Sequence, residues 1–183
     1  QWDETIAKDP VGRVAELKEE ISWVESRRKE MLDFWSLVED GTIPTHVTHN
    51  DTKISNILFE KSSGKVLCAI DLDTVMPGSL LYDFGDSLRF GASTGAEDET
   101  DLSKVSLDLE LYHAYADGFM RGCGGKLTDT EIELLPIGAI MMTYECGMRF
   151  LTDYLSGDTY FATKYKQQTV NFFGTFCNKL LYK

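Results

Sequence analysis

The sequence predicts an α+β fold, mainly α, in which a helical lobe carries one small β-hairpin bearing polar loops. Three observations lead there. Val14, Leu17, Ile21, Val24, Met31, Trp35 and Val38 recur at steps of three and four, with Arg28 in the one gap, which marks an amphipathic helix. Residues 137–155 are apolar nearly all round, as a buried central helix is. Only two short runs, 56–59 and 65–72, read as strands, and Ser62-Ser63-Gly64 supplies the turn between them. The 183 residues are read as a single domain, 1–183, able to bury roughly 70% of its unfolded surface.

Each element has its punctuation. Asp9-Pro10 offers a cap and a first-position proline for the opening helix, and Asp40-Gly41 stops it. Arg28 in the stripe favours packing within a lobe over a coiled-coil seam. The hairpin region spans 45–72, and a long loop follows through Met76-Pro77-Gly78. A short helix is expected over 80–90, and a small, acidic loop over 91–100. Another helix, 107–121, ends at Gly122. The piece Gly122-Cys123-Gly124-Gly125-Lys126-Leu127 lacks the glycine spacing and the Ser/Thr of a phosphate-binding loop, so it reads as a helix C-cap turn. Thr128 with Glu131 forms a capping box, Pro136 starts or kinks the central helix, Gly157 ends it, and 159–181 is the last helix.

Composition excludes several classes. The formal charge of −12 leaves no basic face for nucleic acid. Glu97-Asp98-Glu99 and 129–133 read as solvated acidic faces. No run approaches the ~18 apolar residues of a membrane span, and Gln1-Trp2-Asp3-Glu4 has none of a signal peptide's regions. Cysteines at 68, 123, 146 and 177 show no paired spacing, so a reduced, cytoplasmic setting is expected.

The chemistry concentrates in His49-Asn50-Asp51-Thr52-Lys53-Ile54-Ser55-Asn56 and, fifteen residues on, Asp71 within Ile70-Asp71-Leu72-Asp73-Thr74. A hairpin brings the loop before its first strand alongside the end of its second, so Asp51, Asn56 and Asp71 converge. Phosphoryl transfer from Mg·ATP needs that trio: a carboxylate for the hydroxyl proton, and an amide and a carboxylate for magnesium. Any one of the three alone would read as a turn residue; their joint spacing carries the signal. His49 is expected to hold the loop through hydrogen bonds to neighbouring carbonyls. His46 and His49 do not suggest zinc, because no third ligand lies near.

The runs from Val47 through Asn56, from Ile70 through Gly78, and Tyr82-Asp83-Phe84-Gly85-Asp86 resemble the aminoglycoside phosphotransferase and choline kinase superfamily, within it most closely the N-acetylhexosamine 1-kinase group. The resemblance runs from about Gly12 to Tyr160, and Asn50 stands where aminoglycoside kinases usually carry Gly. It implies the helical C-terminal lobe of a protein-kinase-like fold, with Mg2+ and ATP as cofactors and a sugar as acceptor. Asp51 would be the general base, Asn56 and Asp71 the magnesium ligands, and Asp73 a carboxylate that supports the first metal or holds a second. Asp83 would brace the catalytic loop, and Arg149 and Tyr160 would contact the sugar. Against the last pair stand ordinary packing for Tyr160 and an i,i+4 pair with Glu145 for Arg149.

The alternatives are a kinase for another alcohol (a different sugar, a choline-like amino alcohol, an aminoglycoside) or a non-catalytic kinase-like binding module. An acidic chain would repel a bare nucleotide, so magnesium and local positive groups must compensate at the phosphates. About fifty residues precede the catalytic loop and read as helix, and the chain starts with Gln. The expectation is therefore a catalytic and substrate-binding lobe with the nucleotide-binding lobe mostly absent, inactive alone and able to self-associate through the face so exposed.

Overall fold

The computed structural model describes residues 1–96 and 99–180, the last five of these by backbone only. Six helices and four short strands follow in the order α1 (Trp2–Lys8), α2 (Lys18–Glu39), β1 (His46–Thr48), β2 (Ile57–Phe59), β3 (Val66–Ala69), β4 (Met76–Gly78), α3 (Leu80–Gly91), α4 (Leu109–Gly122), α5 (Asp129–Ser156) and α6 (Gln168–Leu180). This is a mainly helical α+β fold. The chain divides into two compact units: Gln1–Asp33 with the described parts of Thr94–Ser106 and Thr143–Lys183, and Phe34–Ser93 with Leu107–Met142.

The first unit is helical. Leu17, Val24 and Met31 of the expected stripe are buried, joined by Trp23, which stacks on Tyr144 at 6.4 Å and meets Phe173 edge-on at 5.4 Å. The helix expected over this stretch is divided, and the short α1 is tied down by Trp2, whose indole Nε1 donates to Glu25 Oε1 at 2.8 Å. Asp9 does not cap α2: its carboxylate takes the N–H groups of Arg13 and Val14, so a turn and a 3-10 segment Val14–Glu16 precede the helix, which starts at Lys18. The last helix is also shorter than expected. Asp153 captures the N–H groups of Thr159, Tyr160 and Phe161, and Gln168 Oε1 takes that of Lys164, so a turn replaces helix up to α6. Position 181 lies outside the described residues, as do Glu97 and Asp98 of the acidic loop.

The second unit holds the two ladders. Strands β2 and β3 pair antiparallel with a shift between Leu58 and Phe59, closed by Glu60 N–Lys65 O and Gly64 N–Glu60 O bonds of 2.8 Å. The segment read as a loop through Met76-Pro77-Gly78 is instead β4, antiparallel to β1, with Thr48 opposite Met76 and His46 opposite Gly78. A three-residue strand with a central proline shows no alternation, so it left no trace in the pattern. Leu58, Phe59, Val66 and Leu67 of the hairpin are exposed apolar side chains.

Helix α3 starts on Ser79, whose hydroxyl accepts from Leu81 N, and its Leu81, Phe84 and Leu88 join Phe34, Ile43 and Leu135 in the core. Trp35 of the stripe is 40% exposed and stacks on Tyr82 instead, while Phe34 takes the buried place. Helix α4 ends as expected, on a turn with Gly124 and Gly125 at φ 59° and 73°. Helix α5 begins at the Thr128–Glu131 box, whose bonds run Thr128 N to Glu131 Oε2 and Glu131 N to Thr128 Oγ1. It continues through Pro136, which costs one backbone bond to the Ile132 carbonyl without ending the helix.

Two glycines let α3 and α5 touch backbone to backbone. A Cβ on Gly85 would lie 2.4 Å from Gly138 O, and one on Gly138 would lie 2.7 Å from Leu81 O. Gly85→Ala should therefore destabilise the protein by about 1–3 kcal/mol in urea denaturation. Gly118→Ala, on an exposed stretch of α4 with nothing within 4 Å, should stabilise it by about 0.5–1 kcal/mol. Equal effects of the two changes would refute the close-approach account.

Candidate functional site

The two ladders set the site's frame. β1 leads directly into the loop 49–56, and β4 follows directly on the turn 70–75, so their pairing holds the two polar segments side by side. From the other side, Ile70 N donates to Asn56 O at 2.9 Å, extending the β2–β3 ladder up to the residue before Asp71. The three residues expected to converge thus sit on two segments joined at both ends.

Asp51 and Asn56 are in direct contact. Asn56 is 4% exposed, and its Nδ2 donates to Asp51 Oδ2 and to Asp51 O, each at 2.9 Å. Both amide hydrogens are thereby used, which leaves Oδ1, the atom an amide offers to a hard cation. Lys53 Nζ stands 2.7 Å from the same Asp51 Oδ2. That bond raises the lysine above its ordinary value against the pull of burial, and the charges of Asp51, Asp71 and Asp86 push the same way.

Asp71 occupies the left-handed region at φ 64°, and its side chain is exposed, as is that of Asp73 on the following 3-10 turn Leu72–Thr74. Among the described residues no group of three or more His, Cys, Asp or Glu is arranged to hold a metal. The donor set of Asn56 Oδ1 and the Asp71 carboxylate, with Asp73 two positions on, is all oxygen. It fits magnesium, which takes one or two protein ligands and keeps its waters. His49 does not face this set: its Nε2 lies 2.9 Å from Ile70 O. His46 pairs instead with the fully buried Glu131, at 2.8 Å.

Helix α3 grips the loop 49–56 through its side chains. Asp83 Oδ2 accepts from His49 N and Oδ1 from Asn50 N, both at 2.8 Å, and Asp86 Oδ2 accepts from Thr52 N at 2.8 Å. Thr52 Oγ1 donates to Asp83 O at 2.7 Å, and Arg89 Nη2 holds Asp86 Oδ1 at 2.6 Å. Burial pushes the Asp83 carboxyl above its ordinary 3.8; the two N–H bonds and the His49 charge pull it back, and burial prevails. Asp86, Thr52, Lys53 and Thr74 were not singled out in the sequence. For Asp86 a signal existed, since it lies three residues after Asp83 on one helix face.

Arg149 and Tyr160 lie in the other unit. The guanidinium stands 5.8 Å from the Tyr160 ring centroid and 3.8 Å from Glu145 Oε1, so aromatic contact and i,i+4 pair coexist. Tyr160 is 74% exposed, while Asp153 holds the backbone turn that presents it.

The Asp83 shift has a testable sign. A carboxyl whose folded pKa is raised contributes stability that is complete below its unfolded value and is lost as pH rises through the folded one. The stability difference between the wild type and the non-titrating Asp83→Asn variant should therefore shrink as pH climbs from just below 4, measured by denaturant titration at successive pH values. A difference that widens with pH would show the two N–H bonds outweighing burial.

The chain also matches a known family by sequence. The model of the APH phosphotransferase enzyme family matches residues 2–117, a stretch that contains both polar loops and the α3 carboxylates and stops short of Arg149. With more than half of its length matched, the chain belongs to the phosphotransferase enzyme family, whose members act on small-molecule substrates and use ATP, usually with a divalent metal.

Proposed function

We propose that the protein supplies the catalytic lobe of an ATP- and Mg2+-dependent kinase that phosphorylates the anomeric hydroxyl of an N-acetylhexosamine. The observation that carries the reaction class is the Asp51–Asn56 contact, which sets a proton-accepting carboxylate beside an amide whose oxygen is left for a metal. Asp51 orients the acceptor hydroxyl and takes its proton as the phosphoryl group moves. Asn56 and Asp71 would hold magnesium, with Asp73 supporting that site or a second ion. The metal, when bound, neutralises charge on the transferring phosphates. Catalysis rests on positioning and on charge placed in advance, since phosphoryl transfer asks little covalent chemistry of the protein.

The acceptor assignment rests on different residues. Arg149 and Tyr160 together offer a cation and an aromatic face with a hydroxyl, groups suited to a sugar carrying an amide. Their position beyond the matched family stretch makes them the source of specificity in this reading. A reduced, cytoplasmic setting suits Cys68 and Cys123, which are free thiols. No helix among the described residues is long and apolar enough to cross a membrane.

In the complete enzyme, Asp51→Asn should lower kcat by about a hundredfold or more with the circular dichroism spectrum unchanged. Near-normal turnover would remove the assignment. Assayed across N-acetylhexosamines, other sugars, amino alcohols and aminoglycosides, the wild type should favour the first group by kcat/KM, and Arg149→Ala should raise KM for the sugar without changing KM for ATP. The exposed apolar hairpin face predicts self-association of the 183-residue chain, read by sedimentation over a concentration series. Leu67→Lys should weaken it, whereas a monomer at all concentrations would contradict it.

A further inference from the structure

The loop carrying Asp51 and the turn carrying Asp71 and Asp73 are tied at three points. His49 Nε2 lies 2.9 Å from Ile70 O, Thr74 Oγ1 donates to His49 O at 2.6 Å, and Asn50 Nδ2 donates to Thr74 O at 3.0 Å. These bonds fall on the residue before Asp71 and the residue after Asp73, so they bracket both carboxylates. Asn50 is central to the bracket, because its side chain is held at both ends. Its Oδ1 accepts from Thr48 Oγ1 at 2.9 Å, and its backbone N–H is on Asp83. Gly78 makes room for this arrangement: a Cβ there would come within 3.1 Å of Asn50 Oδ1 and 2.5 Å of Thr48 Oγ1.

Backbone need alone does not explain an asparagine. Asn50 sits at φ 63°, which glycine adopts with less strain. What glycine lacks is the amide, and what aspartate lacks is the N–H that reaches the Thr74 carbonyl. We propose that the Asn50 side chain is a positioning group for the phosphotransfer reading given above. It fixes the spacing between the Asp51 loop and the Asp71–Asp73 turn, and through it the affinity of the site for its divalent cation. It touches neither acceptor nor metal.

Asn50→Gly keeps the left-handed backbone and removes the tie. The probe is Mn2+ with ADP, its binding followed by electron paramagnetic resonance, beside steady-state kinetics. The Mn2+ dissociation constant should rise about tenfold or more, as it does when groups supporting a metal ligand are lost. Turnover should fall, with KM for the acceptor within about twofold of wild type. Thr48→Val, which frees the Oδ1 end of the Asn50 side chain, should shift Mn2+ affinity in the same direction by less, and it decides the matter where Asn50→Gly does not fold. Unchanged Mn2+ affinity in the folded variants overturns the proposal. The failures are distinguishable: absence of ATP-dependent turnover in the wild type on every acceptor defeats the phosphotransfer reading, retained turnover in Asp51→Asn removes only its general-base role, and the Mn2+ shift of Asn50→Gly reports the tie independently.

Discussion

Two carboxylates on one face of α3 hold the backbone of the loop 49–52, and the arrangement of the candidate site depends on that grip. Residues 49–52 belong to no ladder or helix, and the left-handed turn at Asn50 throws successive N–H groups toward the same side. Buried backbone donors must find acceptors. Asp83 takes two of them and Asp86 a third. Hydrogen bonds to charged groups are each worth about 1.5–3 kcal/mol net, yet burial of Asp83 works against them. The raised pKa of Asp83 records that opposition. Its return is geometric rather than thermodynamic: three fixed N–H groups leave the Asp51 side chain little freedom of approach.

The grip is only as exact as the position of α3. Leu81, Phe84 and Leu88 recur at steps of three and four on the buried face, and Asp83 and Asp86 fall between them on the face toward the loop. One helix thus joins the core to the site. Its height above α5 is set by Gly85 and Gly138, where backbone meets backbone and no side chain intervenes. Close packing of this kind transmits displacement rather than absorbing it. A helix pushed outward by a single added methyl carries both carboxylates away from the N–H groups they hold. The first turn of α3 adds a smaller effect, since a helix N-terminus favours the negative charge of Asp83.

Much of this was legible in the sequence where periodicity or paired spacing was involved. The stripe from Leu17 to Met31, the capping box at Thr128 and Glu131, the glycine turn after α4 and the β2–β3 hairpin all follow from local rules of pattern and punctuation. What escaped the sequence was decided elsewhere in the chain. Asp9 reads as a helix cap yet spends its carboxylate on a turn, because Arg13 and Val14 compete for it. Residues 159–167 have helical composition but lose their N–H groups to Asp153 and Gln168. Strand β4 exists only because β1 lies beside it. At the candidate site, the Asp51–Asn56 contact follows from a short spacing, whereas the contacts of Asp86 and Thr74 span 34 and 25 positions that no spacing rule encodes.

The charge of the chain bears on what can approach the site. A formal charge of −12, with Asp51, Asp71 and Asp86 all acting on one lysine, makes an uncomplexed triphosphate an unfavourable visitor. Lys53 offsets only part of that field. Its pair with Asp51 is about one-third exposed on both sides, so solvent screens it and its worth is no more than about 1 kcal/mol. The remaining attraction must arrive with the substrate. In the proposed reading, a nucleotide that already carries a divalent cation would bring positive charge to the exposed Asp71 and Asp73 and to the amide oxygen of Asn56, oxygens that otherwise repel phosphate. In the proposed reading that acidity favours the metal-bound form of the nucleotide, and metal affinity becomes the quantity on which the geometry of the two loops would act.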